Sequence, residues 1–204
     1  MKRIVTALNA LALVAMAAYV QGAGQPRPQS PCALTEATSP SVRGVRLGMS
    51  TDQLVALFPG STRRREFREA VERVKASASG ETAYLSFDHS DSSGDSLDGV
   101  GSVSVGLNKG RVMEFTFTYL GPTWRNVDEW VARLSESMKL PGARSWVVGP
   151  HETPNKVLSC NGIEIEAAIQ GGGGSITIRN TEYVKGGEQV RNPTEEKKRR
   201  EFKP

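Results

Sequence analysis

Only two cysteines and two histidines occur among the 204 residues, and aromatic side chains make up 6% of the chain. That scarcity removes several function classes at the outset. Two cysteines with no neighbouring histidine supply too few ligands for a structural zinc site, so no metal is expected. Nucleophilic catalysis needs a nucleophile, a base and an orienting group within hydrogen-bonding reach. His89 lies in "FDHSDSSG" and His151 in "GPHETPN", and neither stands beside a Ser or Cys in a recognisable elbow. No catalytic residue or cofactor is assigned, and the chain reads as a non-enzyme.

The excess of positive charge is also only apparent. The formal net charge is +4, but Lys2 and Arg3 open the chain, and residues 185–204 hold seven Lys or Arg against four Glu. Residues 23–184 carry 17 basic and 18 acidic side chains, so no nucleic-acid-binding face follows from composition. The acidic stretch with Asp88, Asp91, Asp95 and Asp98 lacks the spacing of a calcium-binding hand and reads as a polar connection. The run "GGGG" at 171–174 opens a strand, not the Lys-Ser/Thr-capped helix of a phosphate loop, and reads as a loose hairpin loop.

What is present begins with an export signal. Lys2 and Arg3 precede the apolar run Ile4–Val20, and small residues follow at Gly22, Ala23 and Gly24. This is the layout of a cleaved signal peptide; the run is short for a membrane-spanning helix, which needs about 20 apolar residues. The mature protein is expected in the periplasm or outside the cell, without a transmembrane helix. In an oxidising compartment Cys32 and Cys160 are expected to form a disulfide, worth on the order of 4–5 kcal/mol by loop-closure entropy.

The remaining chain divides into residues 1–24 as signal peptide, 25–41 as a Pro- and Ser-rich extended tether, 42–184 as one α+β domain, and 185–204 as a charged flexible tail. Within the domain, "GVRLGMSTDQLVALFPG" (44–60) defines a short helix at both ends. Ser50 and Gln53 make a capping box, Asp52 suits the positive end of the helix dipole, and Pro59-Gly60 closes the helix. The pattern recurs in "NVDEWVARLSESMKLPG" (126–142), with Asn126 as cap, Glu129 three residues on and Pro141-Gly142 at the end. Strand-like segments follow each helix, so the domain reads as two related units, about 42–121 and 122–184, each a helix followed by antiparallel sheet. Residues 63–76 place Phe67, Val71 and Val74 at helical spacing with Glu69 and Arg73 as an i, i+4 pair; a strand over part of this stretch is the alternative.

Alternation in the strands assigns faces. Val103, Val105, Leu107, Met113, Phe115, Phe117 and Tyr119 point one way around an Asn108-Lys109-Gly110 turn; Ile163, Ile165, Ile176 and Ile178 do likewise around the Asn161-Gly162 turn. "RSWVVG" (144–149) is expected to add a strand. One-sided alternation predicts an antiparallel sheet with helices on one face and water on the other. The wet face would carry Glu114, Thr116, Thr118, Glu164, Glu166, Thr177 and Arg179, and these, with Trp124 ahead of the second helix, are the candidate binding residues. Glu164 and Glu166 could imitate a glycosidase carboxylate pair, but glutamates on a wet strand are ordinarily solubilising.

The segments "VRLGMSTDQLVALFPG" and, less closely, "NVDEWVARL" resemble small exported bacterial proteins of the SmpA/OmlA outer-membrane assembly lipoprotein type and domains like the beta-lactamase inhibitor protein. The resemblance implies an α+β fold whose sheet presents a surface to another protein. Cys32 follows "QSP" and not the small-residue box of a lipidated cysteine, so the lipoprotein anchor does not carry over. The expected partner is another envelope or secreted protein. The alternatives are a cell-wall or lipid ligand-binding module using Trp124 and the basic tail, and a hydrolase with an unrecognised site.

Overall fold

The alternating runs become strands of a single antiparallel sheet. The computed structural model describes residues 32–76, 82–91 and 97–183. The expected signal peptide, residues 25–31 of the tether, Asp95 and the charged tail lie outside the described residues. Strands β1 (Ala83–Phe87), β2 (Val100–Asn108), β3 (Arg111–Tyr119), β4 (Val147–Val148), β5 (Asn155–Cys160), β6 (Ile163–Gln170) and β7 (Gly173–Asn180) stand in the order β1-β2-β3-β7-β6-β5-β4. Helices α1 (Thr51–Leu57), α2 (Arg65–Ala76) and α3 (Val127–Met138) pack on one face. The fold class is α+β, as expected.

Phe58 and Phe67 close on Phe87 with ring centroids 4.4 and 5.1 Å apart, and Trp130 meets Tyr119 at 5.6 Å. Leu54, Val71, Val131 and Leu134 join the inward residues of β1, β2, β3, β6 and β7 in one core. Each such side chain contributes about 1.5–3 kcal/mol on burial, and this holds helices too short to persist alone.

α1 starts as read from the sequence: Gln53 N donates to Ser50 Oγ at 3.3 Å, and Ser50 N donates to Gln53 Oε1 at 3.0 Å. It ends at Leu57, with Phe58 as the cap ahead of Pro59, as expected. Phe58 is followed by a 3-10 turn over Pro59–Arg63, and Gly60 is required by a close approach: a Cβ there would stand 2.7 Å from the Ser90 carbonyl oxygen. α3 also ends before its Pro-Gly pair. Lys139 adopts φ 55°, and Leu140 N donates to Ser135 O at 2.9 Å. At its start Asn126 accepts from Glu129 N at 3.0 Å, while the Glu129 carboxylate receives Arg125 N instead of completing a box.

Residues 65–76 are helix, with Phe67, Val71 and Val74 buried. Glu69 pairs with Arg65 at 2.8 Å, not with Arg73. In the polar stretch, Asp91 is turned inward and accepts from Arg64 at 2.5 Å and from Asp88 N at 3.0 Å, so its carboxylate is a structural pin. The "RSWVVG" segment supplies only the two-residue β4, because Ala143–Ser145 forms a 3-10 turn and Trp146 leaves the strand to donate to Pro141 O.

Two departures in the sheet have local causes. The β2–β3 register shifts between Gly106 and Leu107, so Val112 pairs with Leu107 and joins the core, whereas Met113 becomes the extra residue of a bulge on the opposite face. The glycine run is also not one loose loop. Gly171 and Gly172 form a tight turn at φ 57° and 84°, and Gly173 and Gly174 begin β7. A Cβ at Gly174 would lie 2.8 Å from the Trp130 ring, and one at Gly173 would lie 2.5 Å from Tyr119 O. The indole thus excludes any side chain at the start of β7.

Cys32 and Cys160 are disulfide-bonded, with Cα atoms 5.0 Å apart and a sequence separation of 128. The bond draws residues 32–41 onto the domain, where they do more than span a gap. Leu34 packs against the core, Thr35 and Thr38 close a turn, and Asn180 donates to Glu36 at 3.1 Å. Replacing Cys160 by Ser is expected to cost about 2–5 kcal/mol, read as a lowered denaturant midpoint without reductant. Gly174→Ala is expected to cost about 1–3 kcal/mol in the same measurement through the clash with Trp130, whereas Gly142→Ala, with open space around it, should cost far less.

Candidate functional site

The face of the sheet opposite the helices carries three aligned rows. Antiparallel register places Glu114 against Arg179 and Arg179 against Glu164 in the first. Thr116, Thr177 and Glu166 make the second, and Thr118, Ser175 and Ala168 the third, which Asn155 extends on β5. The rows follow from the period of two along each strand: with Phe115, Phe117, Ile176, Ile178, Ile165 and Ala167 in the core, the residues between them must face outward.

Arg179 is the hub. Its Nε donates to Glu164 Oε1 at 2.7 Å, a terminal nitrogen donates to Glu166 Oε2 at 2.8 Å, and the other stands 3.9 Å from Glu114 Oε2. Asn155 Nδ2 donates to Glu166 Oε1 at 2.8 Å, and Thr116 and Thr177 share a hydroxyl hydrogen bond of 2.8 Å. None of the four charged side chains is more than 25% exposed. Burial pushes the Glu114 carboxyl above the usual carboxylate range; Arg179 pulls it back, and Glu166 and Glu164 add to the rise. For Arg179 burial works toward lower basicity but is outweighed by Glu164, Glu166 and Glu114, so the guanidinium stays charged. Three carboxylates therefore share one cation.

The β4–β5 connection turns this face into a cleft of about 480 Å³. His151, Glu152 and Thr153 form one wall; Thr116, Thr118, Ser175, Thr177 and Ala168 form the floor, and Glu166 and Gln170 also line it. His151 Nε2 lies 3.5 Å from the Glu166 oxygen that Asn155 also reaches. Both oxygens of Glu166 are thereby engaged, one by Arg179 and one by Asn155. The volume falls in the range of small-ligand or side-chain pockets, and hydroxyl and carboxylate groups are among those that line it.

Seven of the eight candidate binding residues, Glu114, Thr116, Thr118, Glu164, Glu166, Thr177 and Arg179, share this face. Trp124 does not. It lies on the helix-covered side with its ring 4.9 Å from that of Trp130, and its amide donates to Gly172 O. Reading from the sequence missed the loop wall of His151, Glu152 and Thr153 and the Asn155 support. Alternation stops between β4 and β5, so nothing in "GPHETPN" signals that it folds back over the sheet; Ser175, by contrast, lies two residues before Thr177 and shares its parity. Among the described residues no group of three or more His, Cys, Asp or Glu could hold a metal ion, and no helix is long and apolar enough to cross a membrane. Comparison with family models, curated proteins and solved structures returns no match.

The charge imbalance has a measurable signature. A carboxyl raised on folding adds stability that is fully present below its unfolded pKa and is lost as pH rises through the folded value. Glu114→Gln removes the unfavourable ionisation. Its melting temperature should exceed that of the parent chain at pH 7, and the difference should vanish in acid below the ordinary carboxylate range. Equal melting temperatures for the two proteins at pH 7 would refute an uncompensated charge at this position.

Proposed function

We propose that this is an exported, non-catalytic binding protein whose outer sheet face and β4–β5 loop receive a segment of another envelope or secreted protein, in the periplasm or outside the cell. The observation that carries the reading is the preorganised polar array on that face. Arg179, Glu164, Glu166, Asn155 and the Thr116–Thr177 pair hold one another in fixed positions beneath a preformed cleft. Rigid partners lower the entropy lost on association. Both oxygens of Glu166 are committed to hydrogen bonds within the array, which fixes the orientation of its carboxylate. The disulfide is compatible with an oxidising compartment.

The domain is further read as two related units, the first contributing α1, α2 and β1–β3 and the second α3 and β4–β7. Supporting this are the two side-chain N-caps at Ser50 and Asn126 and a sheet order in which consecutive antiparallel strands from each half meet at β3 and β7. In this reading the binding face spans the junction of the units and belongs to neither alone.

Crosslinking of the mature protein in cell-envelope extract, followed by mass spectrometry, tests the binding role. The expected outcome is a reproducible partner whose capture by the parent chain is lost in Thr118→Arg, which fills the cleft floor while circular dichroism confirms an unchanged fold. Capture that persists undiminished in Thr118→Arg, or no reproducible partner, sinks the reading.

A further inference from the structure

The outer face carries an excess of negative charge. Glu114, Glu164 and Glu166 surround the single cation Arg179, and Glu152 adds a fourth carboxylate at the cleft wall. A segment suited to this face presents several cations within a few residues. One such segment belongs to this chain: Lys197, Lys198, Arg199 and Arg200 are consecutive, and residues 185–204 hold seven Lys or Arg against four Glu.

The point where the chain leaves the sheet also fits. The first row crosses β7 at Arg179, one residue before that strand finishes at Asn180, and Thr181–Tyr183 add a turn of helix directly after it. A recess of about 320 Å³ is lined by Ser159, Asn161, Glu164 and Thr181, so it touches both the residue after β7 and a glutamate of the first row. Thirteen residues separate Tyr183 from Lys197. Fully extended, they span up to about 45 Å at roughly 3.3–3.6 Å per residue, which exceeds the length of β7 and reaches every row of the face. Covalent attachment also keeps the effective concentration of such a segment high, on the millimolar scale for short connections.

We propose that the basic segment Lys197–Arg200 docks on the outer sheet face of its own chain, over Glu114, Glu164 and Glu166, and occupies the surface until a partner displaces it. This rests on the reading of that face as the binding surface and adds its regulation. The contact is electrostatic, with half-buried carboxylates on one side and solvated cations on the other, so it weakens as salt shortens the screening length.

Carbodiimide coupling tests it on the full mature chain, since the reagent joins a lysine amine to a carboxylate only where the two touch. An equal mixture of unlabelled and nitrogen-15-labelled protein separates contacts within a chain from contacts between chains. The expected result is Lys197 or Lys198 joined to Glu114, Glu164 or Glu166 within single copies. That coupling should be lost in about 1 M salt, where screening falls to about 3 Å. It should also be lost in the double variant Arg199→Glu, Arg200→Glu, which keeps both lysines, and the same variant should capture more partner in the envelope experiment. Absence of these linkages, linkages that join labelled to unlabelled copies as readily as like copies, or linkages indifferent to the double variant would each overturn the proposal. Failure here with Thr118-dependent capture intact removes the tail and leaves the binding surface standing; failure of both removes the surface as well.

Discussion

The pairing of β3 with β7 is the constraint on which the rest of the molecule depends. It joins Glu114–Thr118 to Ser175–Arg179, two stretches about sixty residues apart, and turns two sets of consecutive strands into one seven-stranded sheet. Its register does two things at once. Phe115 against Ile178 and Phe117 against Ile176 place the bulkiest inward residues at the middle of the core, where all four are fully buried. The same register sets Arg179 beside Glu114 and Thr177 beside Thr116 on the other face. A slip of β7 by one residue would turn Ile176 and Ile178 outward and Thr177 and Arg179 into the core, so the core enforces the polar geometry.

That polar geometry has a cost that the core must cover. Half-buried charges lose hydration, which is the main cause of the upward displacement of Glu114, and one guanidinium does not balance three carboxylates. Hydrogen bonds from Asn155 and Arg179 meet part of the demand. What they provide in return is fixed orientation, since a sheet row with its donors and acceptors already committed cannot relax when a partner arrives. A flexible acidic patch would attract the same cations but would have to be ordered on contact.

Much of the fold was legible because its signals are local. The capping box at Ser50 and Gln53, the alternation of Val103, Val105 and Leu107, and the Asn161-Gly162 turn each depend on residues a few positions apart. The seven face residues were legible for the same reason, as the complement of an apolar alternation. Several of the failures involve contacts that a short window of sequence does not contain. Gly60 and Gly174 looked like turn formers, but their smallness serves the Ser90 carbonyl and the Trp130 ring, which no short window contains. Met113 broke the alternation because of a bulge opposite Gly106, and Trp124 was drawn to the core by Trp130 across a turn of chain. The cleft wall was invisible because an irregular loop carries no periodicity to read.

The position of β7 in the sheet has a consequence for the order in which the protein can form. Among the described residues it is the middle strand of seven yet comes after every other strand. A polypeptide emerging N-terminus first can complete β1 to β3 and, later, β4 to β6, but each group then ends in a strand with an unsatisfied backbone edge and an apolar flank. The two halves meet only when the last strand slots between them. Until then β3 and β6 are open templates for any passing extended segment. Assembly is therefore a closing step, in which a late insertion in one motion silences two sticky margins and creates the working surface.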